Sequence, residues 1–307
     1  MGLGVAECFA ASGVGVVLTD ATPDLTRQAK GRLVGRARGH AKAGLLSEEA
    51  AARVEAVETA DEMAVAVDGV ELVFEAVPED IRLKEEILSS CSAAARDAII
   101  VSNTSSLPIN DLSGFVGYPG RFCGMHWFNP PEWTPGVEVI PAAATEEEIV
   151  GRLVAFLRSI GKRPAVVGDG PGFVANRIQN ALFLEAVRCV EEGLASPQEV
   201  DEVVRSCFGF RLPFFGPFQV ADMAGLDVYE NVLDVLRDGL GERFEAPESL
   251  RDLVERGRTG TKSGAGFLEY TDEEQERLLL ERDRRYAALN ELLEELPPVD
   301  AGSGGSS

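Results

Sequence analysis

The alternation of short apolar runs with helical segments over roughly the first 165 residues limits the fold of this chain most strongly. Apolar runs lie at residues 16–18, 70–77, 99–101 and 165–167, and segments with helical spacing separate them. Strands that alternate with helices in this way form a parallel sheet with helices on both faces. The sequence therefore predicts an α/β fold, with a doubly wound sheet, for residues 1–170.

A strong break in this pattern follows at residues 168–172, which read Gly-Asp-Gly-Pro-Gly. The chain beyond it contains helical segments separated by glycine or proline, and no apolar run of comparable strength. We therefore expect a second, all-α domain at residues 171–296. The Gly/Ser-rich end, residues 297–307, is typical of a flexible tail.

The first twenty residues have the pattern of the second half of a dinucleotide-binding unit. Gly2 and Gly4 open a helical segment, and the apolar strand after it ends at Asp20. In such units the start of the helix binds a pyrophosphate, and an acid at the end of the second strand accepts hydrogen bonds from a ribose. Asp20 favours NAD over NADP, because a carboxylate at this position would repel a 2′-phosphate.

The strand and the glycines that normally precede such a helix are missing from this sequence, which begins at Met1. That strand would be central in the sheet, so we expect two open strand edges and weaker contact with the pyrophosphate. We expect the native gene to encode roughly ten to fifteen further residues, with Met1 inside a GxGxxG turn. An in-frame stop codon directly upstream of Met1 would contradict this expectation.

Composition excludes several classes of protein. A net charge of −22 argues against binding to nucleic acid or to anionic membranes. No apolar run approaches the ~18 residues of a membrane span, and no signal peptide is recognisable. The five cysteines are scattered without a CxxC pair, which is typical of reduced thiols and indicates no metal site. We expect a cytoplasmic protein that acts on a small molecule.

One basic segment departs from the acidic composition. Residues 25–46 contain no Asp or Glu but include six basic residues, among them Arg36 and Lys42. An ordinary solvated helix face would give this pattern, and so would a local site for a polyanionic ligand such as coenzyme A. The residues alone leave both interpretations open.

A candidate catalytic group lies between residues 99 and 140. The strand at 99–101 ends in the polar run Ser-Asn-Thr-Ser-Ser, and His126 and Glu138 follow within apolar segments. A buried glutamate is costly unless it is paired, and a partly buried histidine is a suitable partner. A hydroxyl, an imidazole and a carboxylate near strand ends are the parts of a general-base site. A histidine in an apolar segment is also commonly a core residue, so the pattern by itself leaves the role open.

Several motifs together resemble one family, the L-3-hydroxyacyl-CoA dehydrogenases and their relatives. In chain order they are MGxG, a strand ending in Asp20, EAVPED, SNTSSLPI, HWFNPP with GVEVI, GPGFVANR, GPFQVADMAGLD and KSGAGFLEY. The resemblance covers nearly all of residues 1–270. It implies an NAD-binding Rossmann-like domain followed by a helical domain through which the protein forms a homodimer.

The same resemblance implies roles for individual residues. His126 is expected to be the acid–base catalyst and Glu138 to bond its other ring nitrogen, while Ser105 and Asn176 contact the substrate oxygen. Plain structural roles, a turn for Ser105 and a helix start for Asn176, are the alternatives. The positions that match NAD contacts are Gly2, Asp20, Glu79, Lys84, Asn103, Asn129 and Lys262. Lys84 equally fits a solvated helix face. The basic helix corresponds to the region that contacts coenzyme A, which makes Arg36 and Lys42 candidate substrate contacts.

One departure from the family concerns the substrate. Residues 131–136 read PEWTPG, where the acyl-CoA enzymes usually carry an apolar-Met-Lys-Leu run. Prolines here are more similar to the lambda-crystallin-like dehydrogenases of gulonate and carnitine. The expected function is NAD-dependent oxidation of a 3-hydroxyacyl-CoA to the 3-ketoacyl-CoA. The alternatives are the same chemistry on a free hydroxy acid or carnitine-like substrate, and a non-catalytic NAD-binding or structural relative.

Overall fold

The computed structural model describes residues 1–297, which divide into two compact units. The first is Met1–Phe183 and the second begins at Leu184. The first unit therefore extends past residue 170, the predicted end of the α/β domain, into a helix that spans Ala175–Glu191. Of the tail predicted at 297–307, all but Pro297 lies outside the described residues.

The strands of the first unit form two sheets. The strands β1 (Val17–Leu18) and β2 (Glu58–Thr59) make a two-stranded parallel sheet. The other five strands pair in chain order: β3 (Leu72–Glu75), β4 (Ile99–Ser102), β5 (Phe122–Trp127), β6 (Gly136–Pro141) and β7 (Arg163–Val166). No strand within residues 1–297 joins β1 to β3, which agrees with the expectation of two open strand edges.

The direction of the strands differs in part from the prediction. The strands β3, β4 and β5 are parallel, but β6 is antiparallel to β5, and β7 is parallel to β6. A loop at residues 128–135 joins β5 to β6 and is too short for the crossover that parallel strands need. The Rossmann-like α/β class is confirmed, with a mixed rather than wholly parallel sheet. The antiparallel register places Glu138 directly opposite His126.

Helices pack on both faces of the larger sheet and against the two-stranded sheet. In chain order they are α1 (Gly2–Ala11), α2 (Pro23–Lys42), α3 (Glu48–Glu55), α4 (Met63–Ala66), α5 (Ile81–Ala94), α6 (Ile109–Ser113) and α7 (Glu147–Ser159). Successive strand residues point to opposite faces. Val101 therefore lies in a core cluster with Phe9 of α1 and Leu153 of α7. Ile100 lies in the opposite cluster with Leu88 of α5 and Ile109 of α6.

The second unit is helical, as expected. Its elements are the end of α8 (Ala175–Glu191), α9 (Pro197–Val203), α10 (Pro217–Ala224), α11 (Leu226–Leu240), α12 (Glu248–Glu255) and α13 (Asp272–Glu295). Gly225 separates α10 from α11, and its φ of +103° is a conformation that suits glycine. No helix within residues 1–297 has both the length and the apolar character that a membrane crossing requires.

Candidate active site

The centre of the candidate site is a buried histidine–glutamate pair on adjacent strands. His126 of β5 and Glu138 of β6 are directly paired across the sheet, and the distance from His126 Nδ1 to Glu138 Oε2 is 2.8 Å. Both residues are at most 5% exposed. The second carboxylate oxygen, Oε1, accepts hydrogen bonds from the backbone N–H groups of Val174 at 3.1 Å and Ala175 at 2.9 Å. Glu138 thus joins the catalytic histidine predicted from the sequence to the start of α8.

These contacts define the proton positions on the His126 ring. A carboxylate that already accepts two backbone N–H groups acts only as an acceptor, so His126 Nδ1 carries the proton that it donates to Glu138. Nε2 is then the unprotonated nitrogen of the neutral ring. The rings of Phe128 and Phe173 lie 4.5 and 5.6 Å from the imidazole, measured between centroids. These contacts restrict rotation of the imidazole, so Nε2 has a defined direction.

Ser105 and Asn176, the predicted oxygen-binding residues, are brought together by a direct bond. Asn176 lies in the first turn of α8, and its Nδ2 donates to the backbone oxygen of Ser105 at 3.2 Å. The loop that carries Ser105 is also tied to the strand of the histidine, because Trp127 N donates to Asn103 Oδ1 at 2.9 Å. One network therefore connects Ser105, Asn176, Glu138 and His126.

Glu79 holds the same loop from its other side. Its Oε1 accepts from Thr104 Oγ1 at 2.5 Å and from the N–H groups of Ser105 and Ser106 at 2.9 and 3.0 Å. Burial opposes ionisation, but these hydrogen bonds and the nearby Lys84 outweigh it and lower the pKa of Glu79 to about 2. An ionised Glu79 therefore fixes the loop at neutral pH, and a direct contact of Glu79 with NAD stays a prediction.

Lys84 is completely buried beneath this loop. Its side chain is 1% exposed, and Nζ lies 2.8 and 2.9 Å from the two carboxylate oxygens of Glu75 and 3.4 Å from Glu79 Oε2. Ser102 Oγ donates to the same Glu75 carboxylate at 2.5 Å. The interpretation of Lys84 as a solvated helix lysine is therefore wrong. Lys84 supports Glu79, and its direct contact with NAD stays a prediction.

The residues predicted to bind the adenosine half of NAD have a geometry that fits this group. A Cβ on Gly2 would lie 3.3 Å from Ala76 Cβ, so a small residue lets the start of α1 approach the end of β3. Met1 makes no side-chain cap there, and the N–H groups at the start of α1 suit a phosphate. Asp20 is exposed just after β1, with only its neighbour Ala21 N bonded to Oδ1 at 2.7 Å.

The other predicted NAD contacts lie in two places. Asn129 is exposed in the loop between β5 and β6. Lys262 belongs to the second unit, where Nζ pairs with Asp227 Oδ1 at 2.5 Å. Their contact with the cofactor stays a prediction.

The basic helix requires a correction. The guanidinium of Arg36 contacts the buried carboxylates of Glu7 and Glu132, so its charge is neutralised within the protein. Arg36 therefore joins α2 to the loop at 128–135, and the expectation that it is a free contact for coenzyme A is not supported. Lys42 is exposed at the end of α2, and its contact with coenzyme A stays a prediction.

One part of the site was not predicted from the sequence. Residues 168–172 indicate a domain boundary, but the turn continues into Phe173, which has a φ of +51°. This turn supplies the two N–H groups that bind Glu138 Oε1. The sequence contains one indication of this turn, the glycine at 172. Two consecutive residues in the left-handed conformation require glycine in at least one position.

Comparison with known proteins agrees with this architecture. The family model "3-hydroxyacyl-CoA dehydrogenase, NAD binding domain" matches residues 1–170, and "3-hydroxyacyl-CoA dehydrogenase, C-terminal domain" matches residues 172–270. The chain is 36% identical over 296 residues to the 5-formyl-3-hydroxy-2-methylpyridine 4-carboxylate 5-dehydrogenase of Mesorhizobium japonicum, covering 96% of this chain and 95% of that protein. It is 34% identical to a probable 3-hydroxybutyryl-CoA dehydrogenase of Bacillus subtilis, covering 89% and 94%.

A solved structure shows the same arrangement of elements. The 3-hydroxyacyl-CoA dehydrogenase of Archaeoglobus fulgidus superposes with a TM-score of 0.78 at 30% identity, covering 96% of this chain and 95% of that one. Together with the two family models, which span both parts of the chain, this settles the class of protein. The chain is an NAD-dependent oxidoreductase that belongs to the 3-hydroxyacyl-CoA dehydrogenase family.

Proposed function

We propose that the protein oxidises a 3-hydroxyacyl-CoA to the 3-ketoacyl-CoA, reversibly, with His126 as its acid–base catalyst. The observation that carries this proposal is the 2.8 Å bond from His126 Nδ1 to Glu138, in a network that includes Ser105 and Asn176. The family models and the hydroxyacyl-CoA relatives support the substrate class.

In this mechanism His126 Nε2 takes the proton of the substrate hydroxyl. When bound, NAD supplies the carbon that accepts the hydride. The imidazolium formed at His126 is stabilised by the carboxylate of Glu138, which keeps its two backbone N–H bonds throughout. In the reduction direction His126 returns the proton to the oxygen. General acid–base catalysis of this kind contributes about 10²–10⁴-fold to a rate.

Ser105 and Asn176 are proposed to bind the reacting oxygen. Asn176 Nδ2 carries two hydrogens and uses one for the backbone oxygen of Ser105, so the second is free to donate. The Ser105 hydroxyl is exposed and makes only a 3.5 Å contact with Glu79. These two donors would stabilise negative charge that develops on the oxygen during reduction.

A second candidate substrate is a free hydroxy acid or another small carboxylated alcohol. Arg36 is neutralised by Glu7 and Glu132, which weakens the positive surface that coenzyme A would need. The proline-containing loop at 131–136 favours the same alternative. The relative from Mesorhizobium japonicum is named for a pyridine carboxylate, which also supports it.

A kinetic comparison separates the two candidates. NADH oxidation is measured with acetoacetyl-CoA, with free acetoacetate and with dehydrocarnitine, for the wild type and for Lys42→Met. We expect kcat/KM to be at least about tenfold higher for acetoacetyl-CoA than for the other two substrates. Lys42→Met should raise the KM for acetoacetyl-CoA and leave the KM for the other two unchanged. Exposed Arg82 on α5 provides the control, Arg82→Met. Preference for a free acid would support the second candidate, and no turnover of any of the three substrates would contradict both candidates.

We also propose that the second unit forms a homodimer. Val228, Val232 and Val235 lie on one face of α11 and are each about half exposed or more, and α8 buries no residue. An exposed apolar face of this kind commonly marks a protein–protein interface. Light scattering should give a dimer for the wild type and a monomer for Val235→Glu. A monomeric wild type at micromolar concentration would contradict the proposal.

A further inference from the structure

Phe173 has the most unusual backbone conformation near the site. Its φ is +51°, and it is the single non-glycine residue with positive φ within residues 1–297. For a bulky side chain this left-handed conformation is rare and strained, and such residues concentrate at functional sites. Gly172 before it is also left-handed, with a φ of +71°.

The backbone turn at Phe173 aims two donors at one oxygen. Directly after the turn, the N–H groups of Val174 and Ala175 both reach Glu138 Oε1, at 3.1 and 2.9 Å. Consecutive N–H groups that converge in this way form an anion-binding nest, and the start of α8 adds its positive dipole end. Glu138 is therefore fixed with Oε2 toward His126.

The side chain of Phe173 acts on the other member of the pair. Its ring is 5% exposed and lies 5.6 Å from the His126 ring at an angle of 56°. On its other side the ring belongs to the core cluster that contains Ile109 and Leu112. The Phe173 ring therefore connects the rigid core to the imidazole.

We propose that Phe173 is a positioning residue for the acid–base pair, acting on Glu138 through its left-handed backbone and on His126 through its ring. This inference rests on the proposed role of His126. Glycine at 173 would allow the turn but would leave the imidazole without its aromatic contact. Alanine would lose the ring and, without the packing that holds the strained conformation, would let the turn relax.

The test compares Phe173→Gly, Phe173→Ala and Phe173→Leu in the NAD-bound protein. The first readout is the proton NMR resonance of His126 Nδ1–H, which is shifted far downfield while the proton is shared with Glu138. We expect it to remain in Phe173→Gly and to broaden or disappear in Phe173→Ala. Phe115→Ala provides the control, because Phe115 packs against the same core cluster but away from the pair, and it should leave the resonance unchanged.

The second readout is turnover and its pH dependence. A displacement near 1 Å at a catalytic group costs up to about 10²-fold in rate. We therefore expect kcat to fall about tenfold in Phe173→Gly, more in Phe173→Ala and least in Phe173→Leu, with the Kd for NADH unchanged. The pH profile of kcat should change in Phe173→Ala only.

These outcomes separate this inference from the proposed function. If Phe173→Ala and Phe173→Gly both keep the resonance and the wild-type kcat, Phe173 does not position the pair. If instead the resonance responds as expected but His126→Gln turns over normally, the positioning is right and the catalytic role of His126 is wrong. Thermal unfolding of each variant shows whether the fold is retained, and Phe173→Leu, which keeps apolar volume, covers the case in which Phe173→Ala fails to fold.

Discussion

Replacing Glu138 by glutamine tests the geometry of the pair most specifically. The carboxylate accepts three N–H groups, from His126, Val174 and Ala175. Glutamine has the same shape but only one accepting oxygen, and its NH₂ group donates. The substitution therefore forces a choice between the two sets of donors.

The energies indicate which arrangement is adopted. If the amide oxygen faced His126, the two partly buried N–H groups of Val174 and Ala175 would face a donor, and each unpaired group would cost up to about 1–3 kcal/mol. If the oxygen faces Val174 and Ala175, only the charge-assisted bond to His126, worth about 1.5–3 kcal/mol, is lost. The second arrangement is favoured. The NH₂ group then faces His126 Nδ1, which must accept, so the imidazole proton moves to Nε2 and the base is lost.

Steady-state kinetics with a 3-ketoacyl-CoA and NADH measure the effect. We expect Glu138→Gln to lower kcat by about 10²–10³-fold, because the general base that is lost contributes about 10²–10⁴-fold to a rate. The Kd for NADH should change little. Glu86→Gln, an exposed glutamate on α5, is the matched control. A Glu138→Gln enzyme within threefold of wild type would refute the reasoning about the tautomer.

Three further predictions concern Asp20, Glu79 and Lys84. The protein should have a higher kcat/KM with NAD than with NADP, and Asp20→Asn should bring the two values closer together. Equal kcat/KM values of the wild type with NAD and NADP would contradict this prediction. Because the pKa of Glu79 is lowered from 4.5 to about 2, its stabilising effect is present above pH 4.5 and lost as pH falls toward 2. The difference between wild type and Glu79→Gln in the free energy of unfolding, measured with urea, should therefore become smaller between pH 4.5 and pH 2. A difference that stays constant over this range would contradict the prediction. Lys84→Met should lower the free energy of unfolding by about 3–5 kcal/mol, because Glu75 is left charged without its partner. The double variant with Glu75→Gln should recover part of that loss. An equal free energy of unfolding for the single and the double variant would rule out the pairing.

Much of the fold follows from patterns that the sequence displays openly. The strand at 99–101 is an uninterrupted apolar run, which indicates burial on both faces, and Ile100 and Val101 are indeed buried in two different clusters. The direction of β6 was not predicted, because strand direction depends on the path of the connecting loop and not on apolar pattern. That direction matters, since it sets His126 opposite Glu138.

Sequence motifs predicted the candidate catalytic residues. They did not predict ion pairs between residues that are far apart in the sequence. Arg36 has the sequence context of a solvated basic helix, and nothing local shows that Glu7 and Glu132 neutralise it. Lys84 likewise lies on an amphipathic helix, yet Glu75, nine residues before it, draws it into the interior. Ion pairs of this kind form between residues that only the folded chain brings together.

The variant His126→Gln tests most directly whether His126 is the acid–base catalyst. We expect its kcat with a 3-ketoacyl-CoA and NADH to fall by about 10²–10⁴-fold. The Kd for NADH, measured by calorimetry, should stay within about twofold, because the histidine acts on the substrate oxygen. The double variant with Glu138→Gln should be no slower than His126→Gln alone, since Glu138 acts through the imidazole. A His126→Gln enzyme that keeps its NADH affinity and turns over within threefold of the wild type would contradict the account.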